Sequence, residues 1–312
     1  MTDGVDGGER RDVVIVGAGV AGVSCALECV DIQLDTAVFE TYGRAGGQLV
    51  DIPHAVRNVA TGHPRRGAGL RDALEEAAVI LGDRLRLARP VTGVDLDECR
   101  IDVDGTRVHA RALVIATGTG HQELPAAPDG AFGGDVTYLV EARPDHFVGR
   151  DVVVIGGGDS GTLDALELAR AGSMVTLVHR SQALTARQDI VEQVRKEPGI
   201  EELAGWELAS LEGGDRLEAV VLVRPADGQR RRVEAGGLVV KIARVPRTDL
   251  VRGHVELDRA GAIVVDADLQ TSRAGVFAAG DVVSGAYARI AAAMGQGSVA
   301  ARSVLRYLQG RP

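Results

Sequence analysis

An α/β fold built from two doubly wound, Rossmann-like domains is what the sequence predicts, and three observations predict it. An apolar run, Asp12-Val-Val-Ile-Val16, opens into Gly17-Ala-Gly19-Val-Ala21-Gly22. The same order recurs at Asp151-Val-Val-Val-Ile155 and Gly156-Gly-Gly158-Asp159-Ser160-Gly161. In each copy a helical stretch follows, to about Val30 or Ala171, and then a β-rich run, Thr36–Glu40 or Met174–Arg180. One such glycine spacing is a weak signal; two, each in strand–glycines–helix–strand order, are a strong one.

The spacing has a physical reason. Gly17 and Gly156 make a tight turn, Gly19 and Gly158 let a pyrophosphate approach the backbone, and Gly22 and Gly161 let helix pack on strand. The N–H groups at each helix start, around Ala21 in one copy and Asp159 and Ser160 in the other, then hold phosphate charge. The residue ending the second strand separates the two sites. Glu40 stands 23 positions after Gly17, and His179 stands 23 after Gly156. A carboxylate there accepts from a free ribose 2′-OH and repels a 2′-phosphate, which suits the adenosine of FAD. His179 and Arg180 form a cationic corner suited to a 2′-phosphate. The first site is therefore expected to hold FAD, and the second NADPH in preference to NADH.

Four further segments complete the pattern. Ala112-Leu-Val-Ile-Ala116-Thr117-Gly118 reads as a buried strand ending in a tight turn. Leu238–Ile242 reads as another strand, followed by Val245-Pro-Arg-Thr248. Gly275–Asp281 is a strand ending on Gly280-Asp281, and Ala286 to about Gln309 is a long helical stretch rich in small residues. An aspartate at the carboxyl end of a parallel strand stands where ligands bind such sheets. Asp281 is expected to hold a ligand's hydroxyls or, alternatively, to cap a helix.

Composition narrows the function classes. The 35 Lys and Arg residues against 44 Asp and Glu leave a net charge of −9, a poor match for nucleic acid or an anionic membrane. Arg230-Arg231-Arg232 is the densest basic cluster and reads as a solvated turn or edge. The three cysteines include no CxxC pair. Cys25 and Cys29 share a face of the first helix and read as small core residues, which points to a reduced, cytoplasmic protein. No apolar run reaches the roughly 20 residues of a membrane span, and Met1–Arg11 lacks the order of a signal peptide.

With these motifs in place, the chain from Asp12 to Leu308 resembles the low-molecular-weight thioredoxin reductase family. Carrying pieces are Gly17–Gly22, Gly46-Gly47-Gln48-Leu49, Ala116-Thr117-Gly118, Gly156–Gly161, His179-Arg180, Phe277–Val282 and Arg289-Ile290 through Gly295. The resemblance implies a discontinuous FAD domain, residues 1–118 and 249–312, with the NADPH domain, 119–248, inserted into it. It also implies that Gln48 and Asn58 lie near the flavin or its ribityl chain, that the backbone at Arg289–Ile290 faces the pyrimidine end of the ring, and that the chain forms a homodimer.

The departures bear on activity. The family's CxxC falls at Leu139 and Ala142 here, so no dithiol relay to thioredoxin is expected. In that segment the chain looks more like the thioredoxin-reductase-like ferredoxin–NADP reductases. The family's His-Arg-Arg reads His179-Arg180-Ser181, with Thr185 at the later arginine position and Arg187 close by. The leading expectation is an FAD oxidoreductase that takes hydride from NAD(P)H and passes electrons to an external acceptor: a ferredoxin, a flavodoxin or a quinone-like small molecule. Two alternatives stay open: an FAD-dependent oxidase or dehydrogenase of a biosynthetic small molecule with a vestigial nicotinamide site, and a non-catalytic flavin redox sensor. No side chain stands out as a general acid or base. His121, just after Ala116-Thr117-Gly118, is the one candidate for substrate handling, and His54 and His63 flank the flavin-side loop.

Overall fold

The run Val13–Val16 carries four aliphatic residues without alternation, the pattern of a strand covered on both faces. In the computed structural model, which describes residues 8–52, 55–60, 66–140 and 144–310, all four are buried. The chain order is β1 (Glu9–Val16), α1 (Val20–Asp31), β2 (Thr36–Phe39), α2 (Gly67–Ala78), β3 (Leu85–Arg86), β4 (Val91–Asp95), β5 (Arg100–Val103), β6 (Thr106–Ile115) and β7 (Thr119–His121). Then come α3 (Ala131–Gly134), β8 (Val136–Thr137), β9 (Asp151–Ile155), α4 (Asp159–Arg170), β10 (Met174–His179), α5 (Gln188–Lys196) and β11 (Ile200–Ala204). The remainder is β12 (Glu207–Gly213), β13 (Leu217–Arg224), β14 (Gln229–Glu234), β15 (Gly237–Val240), β16 (Arg244–Pro246), β17 (Val276–Ala278) and α6 (Ile290–Leu308). Two compact units result: residues 1–50, 55–120 and 245–312 form one, and 51–54 with 121–244 the other.

In the first unit the sheet order is β3-β2-β1-β6-β5-β4, with β17 also on β6. β6 changes partner along its length: Thr106–His109 pairs antiparallel with β5, and Leu113–Ile115 pairs parallel with β17. One sheet face, with Val13, Ile15, Val38 and Val114, packs on α1 and α6. The other, with Val14, Val16, Phe39 and Ile115, packs on Ile101, Val103 and Val108 of the β-meander. The small residues of α6 have a specific use. A Cβ on Gly297 would fall 2.3 Å from the Ala21 carbonyl oxygen, so glycine is what lets α6 approach the start of α1.

The second unit has a parallel sheet in the order β11-β10-β9-β15-β8 and a separate antiparallel sheet β12-β13-β14. α4 and α5 cover one face of the parallel sheet, and Leu217, Val220 and Leu222 of β13 share a core with Val153, Val178 and Leu238 of the other. Its polar hub is Asp135, with a side chain 1% exposed. It accepts from Arg216 Nε at 2.6 Å, Arg150 Nη1 at 2.8 Å and the Leu217 N–H at 3.1 Å, and meets His146 Nε2 at 2.8 Å.

Two expectations need adjusting. The final helix begins at Ile290 rather than Ala286, because Arg289 is extended (φ −138°, ψ 138°) and caps it. The strand at Leu238 ends at Val240. Arg230–Arg232, expected on a solvated turn or edge, lie on the edge strand β14, with Arg231 bonded to Glu201 and Arg232 to Glu212, each at 2.8 Å.

Candidate functional site

The first site is built at the carboxyl edge of β1. Gly17 turns the chain at φ +104°, a region side chains rarely adopt. Gly19 caps α1 with no side-chain hydrogen bond, and a Cβ there would meet nothing within 4 Å. Space above bare helix N–H groups is what an anionic pyrophosphate requires. Glu40, 8% exposed, turns under this loop. Its Oε2 accepts from the Ala18 N–H at 2.7 Å and its Oε1 from the Tyr42 N–H at 3.0 Å.

Distant segments converge on the same helix start. A Cβ on Gly47 would lie 3.3 Å from Gly19 Cα, and one on Gly280 would lie 2.8 Å from Ala21 Cβ. Gln48 donates to Asp281 Oδ2 at 3.1 Å, across 233 positions, and its Nε2 lies 3.3 Å from where a Gly118 Cβ would sit. The Thr117 hydroxyl donates to the Arg247 carbonyl at 2.6 Å, which fixes the turn after Ala116. Gln296, nearly two turns into α6, accepts from the Gly280 N–H at 2.7 Å; sequence reasoning did not identify it, since no spacing singles it out among small residues. Asn58 is exposed. Arg289 is exposed and Ile290 half-buried at the start of α6. A cavity of about 450 Å³ lined by Phe39, Leu87, Arg89 and Val103 opens beside β2.

The second site repeats the first at the carboxyl edge of β9. Gly156 has φ +137°, and Gly158 caps α4 without a side-chain hydrogen bond. Asp159 accepts from the Arg187 N–H at 2.8 Å and pairs with its guanidinium at 3.3 Å, while Ser160 is exposed. The strand-end pair differs from the expectation. Arg180 is exposed, but the His179 side chain is only 2% exposed. His179 Nε2 lies 3.0 Å from Glu202 Oε1 and Nδ1 lies 3.3 Å from Ser181 Oγ. A Cβ on Gly157 would sit 2.8 Å from His179 Cβ, so the imidazole is packed beneath the loop and does not offer a surface cation. Behind the loop Lys241 and Asp164, both buried, pair at 3.2 Å.

His121 is a partner rather than an isolated base. Its Nε2 is 3.5 Å from Asp51 Oδ2, and Arg244 donates to the same oxygen at 2.6 Å. Burial pushes the Asp51 carboxyl up, but His121 and Arg244 outweigh it and hold the group below its usual range. His54, His63 and Ala142 lie outside the described residues; Leu139 is half-buried. Cys25 and Cys29 are buried thiols in α1, and Cys99 is half-buried in the meander. The Cys25 thiol is pushed up by its hydrogen bond with Cys29 and by burial. Among the described residues no helix is long and apolar enough to cross a membrane.

Two uncapped helix starts behind glycine turns, each with open backbone, define a protein that binds two phosphate-bearing cofactors. Residues 11–297 match the pyridine nucleotide-disulphide oxidoreductase family model, and the chain belongs to that family. It is an oxidoreductase family that binds FAD and uses NAD(P)H. A thioredoxin reductase of Streptomyces clavuligerus is 32% identical over 303 residues, 96% of this chain and 94% of that protein. The 34.2 kDa protein in the rubredoxin operon of Clostridium pasteurianum is 29% identical over 306 residues, 97% and 99% of the two chains. Among solved structures, the T. acidophilum thioredoxin reductase superposes with a TM-score of 0.87 at 29% identity, covering 97% of this chain and 99% of that one. The Lactococcus lactis thioredoxin reductase does so at 0.88 and 28%, covering 96% and 99%.

Proposed function

We propose that this chain is an NAD(P)H-dependent FAD oxidoreductase that delivers electrons to an external acceptor without a dithiol relay. The observation that carries the reading is the placement of sulfur. All three cysteines lie in the first unit, and the segments 51–54 and 121–244 contain none. Cys25 and Cys29 are buried in α1 and shielded from exchange, and the raised Cys25 thiol is a poor nucleophile.

Gly17, Gly19, Ala21 and Gly22 would cradle the FAD pyrophosphate, with Glu40 fixing the loop from below. Gly47, Gln48, Asn58, Ala116, Thr117, Gly118, Gly280, Asp281 and the Arg289–Ile290 backbone would line the rest. Open backbone at Gly19 and the Gln48–Asp281 bond support this assignment. Gly156, Gly158, Asp159, Ser160 and Arg180 would take the nicotinamide dinucleotide. When bound, the two cofactors supply hydride transfer between nicotinamide and flavin; the chain supplies binding, orientation and charge.

The acceptor we favour is a small redox protein, of the ferredoxin, flavodoxin or rubredoxin kind. The C. pasteurianum relative's place in a rubredoxin operon supports it; a quinone-like small molecule is the other class. The working form is a homodimer, carried over from the resemblance, in the cytoplasm, as the sparse cysteines suggest. The test is anaerobic mixing of the FAD-loaded protein with NADH and, separately, NADPH, following the flavin absorbance. Bleaching by either nucleotide is expected. No bleaching by either, with FAD in place, overturns the reading and favours a substrate that reduces the flavin directly.

A further inference from the structure

We infer that Glu202 sets the nucleotide preference of the Gly156–Gly161 site, turning it toward the dinucleotide that lacks a 2′-phosphate. The inference rests on the proposed reading of that loop as a nicotinamide-dinucleotide site.

His179 ends β10 at the position where a Rossmann-type site reads the adenosine ribose. Both its ring nitrogens are already engaged. Nε2 meets Glu202 Oε1 at 3.0 Å, Nδ1 meets Ser181 Oγ at 3.3 Å, and Gly157 packs against its Cβ. The register of the parallel pair β10–β11 sets Glu202 opposite Leu177, two residues before His179 and on the same face of the sheet. Its side chain is 31% exposed, so the carboxylate reaches solvent at the edge where the ribose would lie. Among the described residues, His179 is its one hydrogen-bond partner.

The surrounding cations do not offset it. Arg187 is held by Asp159 at 3.3 Å and Asp189 at 3.9 Å, and Arg231 by the neighbouring Glu201 at 2.8 Å. That leaves Arg180 exposed on the loop. One exposed arginine and one carboxylate together give a 2′-phosphate, with nearly two negative charges, little net attraction. A ribose 2′-hydroxyl instead finds a carboxylate acceptor, the arrangement that selects an unphosphorylated ribose. Glu202 would thus act twice, as the ribose acceptor and as the residue that keeps His179 turned inward.

The experiment is calorimetric binding of ADP-ribose and 2′-phospho-ADP-ribose to the FAD-loaded protein, for the wild type, Glu202→Gln and Glu202→Ala. Wild type is expected to bind ADP-ribose about tenfold more tightly, a margin that a single charge interaction readily supplies. Glu202→Gln preserves shape and an oxygen for His179, and is expected to erase most of that margin; Glu202→Ala also releases the imidazole and is expected to reverse it. A role confined to stability would weaken both ligands equally and leave the ratio fixed. Tighter binding of the 2′-phosphate by wild type, or a ratio unmoved in both variants, overturns the inference and leaves the dinucleotide reading standing. Failure of both ligands to bind wild type overturns both.

Discussion

Gly22 faces the Gly17 carbonyl so closely that a Cβ on it would lie 1.9 Å from that oxygen, and Gly161 repeats the relation with Gly156 at 2.2 Å. The first turn of each helix is thereby clamped onto the loop that precedes it. Gly19 is different, since a Cβ there has open space. Gly22→Ala is expected to destabilise the protein by about 3 kcal/mol through overpacking. Gly19→Ala is expected to change stability by about 1 kcal/mol or less and still fail to retain FAD. Thermal midpoints of the apo-proteins, set beside the flavin-to-protein absorbance ratio, check the contrast.

Glu40 anchors the first loop by accepting from Ala18 and Tyr42. Glu40→Ala would leave the Ala18 N–H without that acceptor, at a cost of about 1–3 kcal/mol. FAD affinity is expected to fall at least about tenfold. Glu40→Gln keeps an acceptor oxygen and should lose less. Fluorescence titration of the apo-proteins with FAD measures both.

Asp135 makes acid stability testable. Burial pushes its carboxyl up, but Arg216, the Leu217 N–H, His146 and Arg150 outweigh that and hold it at about 2, against an ordinary 3.8. A folded-state value below the unfolded one contributes stability that is present above 3.8 and lost as pH falls toward 2. The contribution is about 2 kcal/mol. Urea midpoints at pH 5 and pH 2.5 should therefore fall more steeply for wild type than for Asp135→Asn, which should itself lose about 3 kcal/mol at neutral pH.

His121 is placed as the companion of Asp51 and Arg244. A general acid or base contributes about 100-fold or more. His121→Gln is expected instead to leave the rate of flavin reduction by NAD(P)H, and of reoxidation by a quinone, within about threefold of wild type. Stopped-flow traces of the two half-reactions decide it.

Cys25→Ala, Cys29→Ala and Cys99→Ser combined remove all sulfur chemistry from cysteine. The triple variant is expected to keep its NAD(P)H-to-acceptor rate while losing about 2–4 kcal/mol from the vacated core positions. Loss of turnover with flavin still bound would show that a thiol takes part.

Legibility in the sequence followed distance along the chain. Both glycine loops, the helices behind them and the strands β1, β2, β9 and β10 could be read because their signals are contiguous: an apolar run, fixed glycine spacing, then a helix. The start of α6 could not, since Ala286–Arg289 carries no proline or capping side chain to break the helical pattern, and only the extended backbone of Arg289 marks the boundary. Gln296 and the Asp51–Arg244 pair were equally hidden, the latter spanning 193 positions.

His179 shows the division most clearly. The sequence by itself determined where it stands, at the end of the second strand of the second unit, because strand length and glycine spacing are local properties. It also determined the family's two cofactor loops and the absence of cysteine from residues 121–244. Only the tertiary structure decided that His179 is spent on Glu202 while Arg180 remains at the surface. A residue type fixes which charges and hydrogen bonds are possible. Which of them stay available to a ligand depends on the partners that sheet register and helix packing bring within about 3 Å.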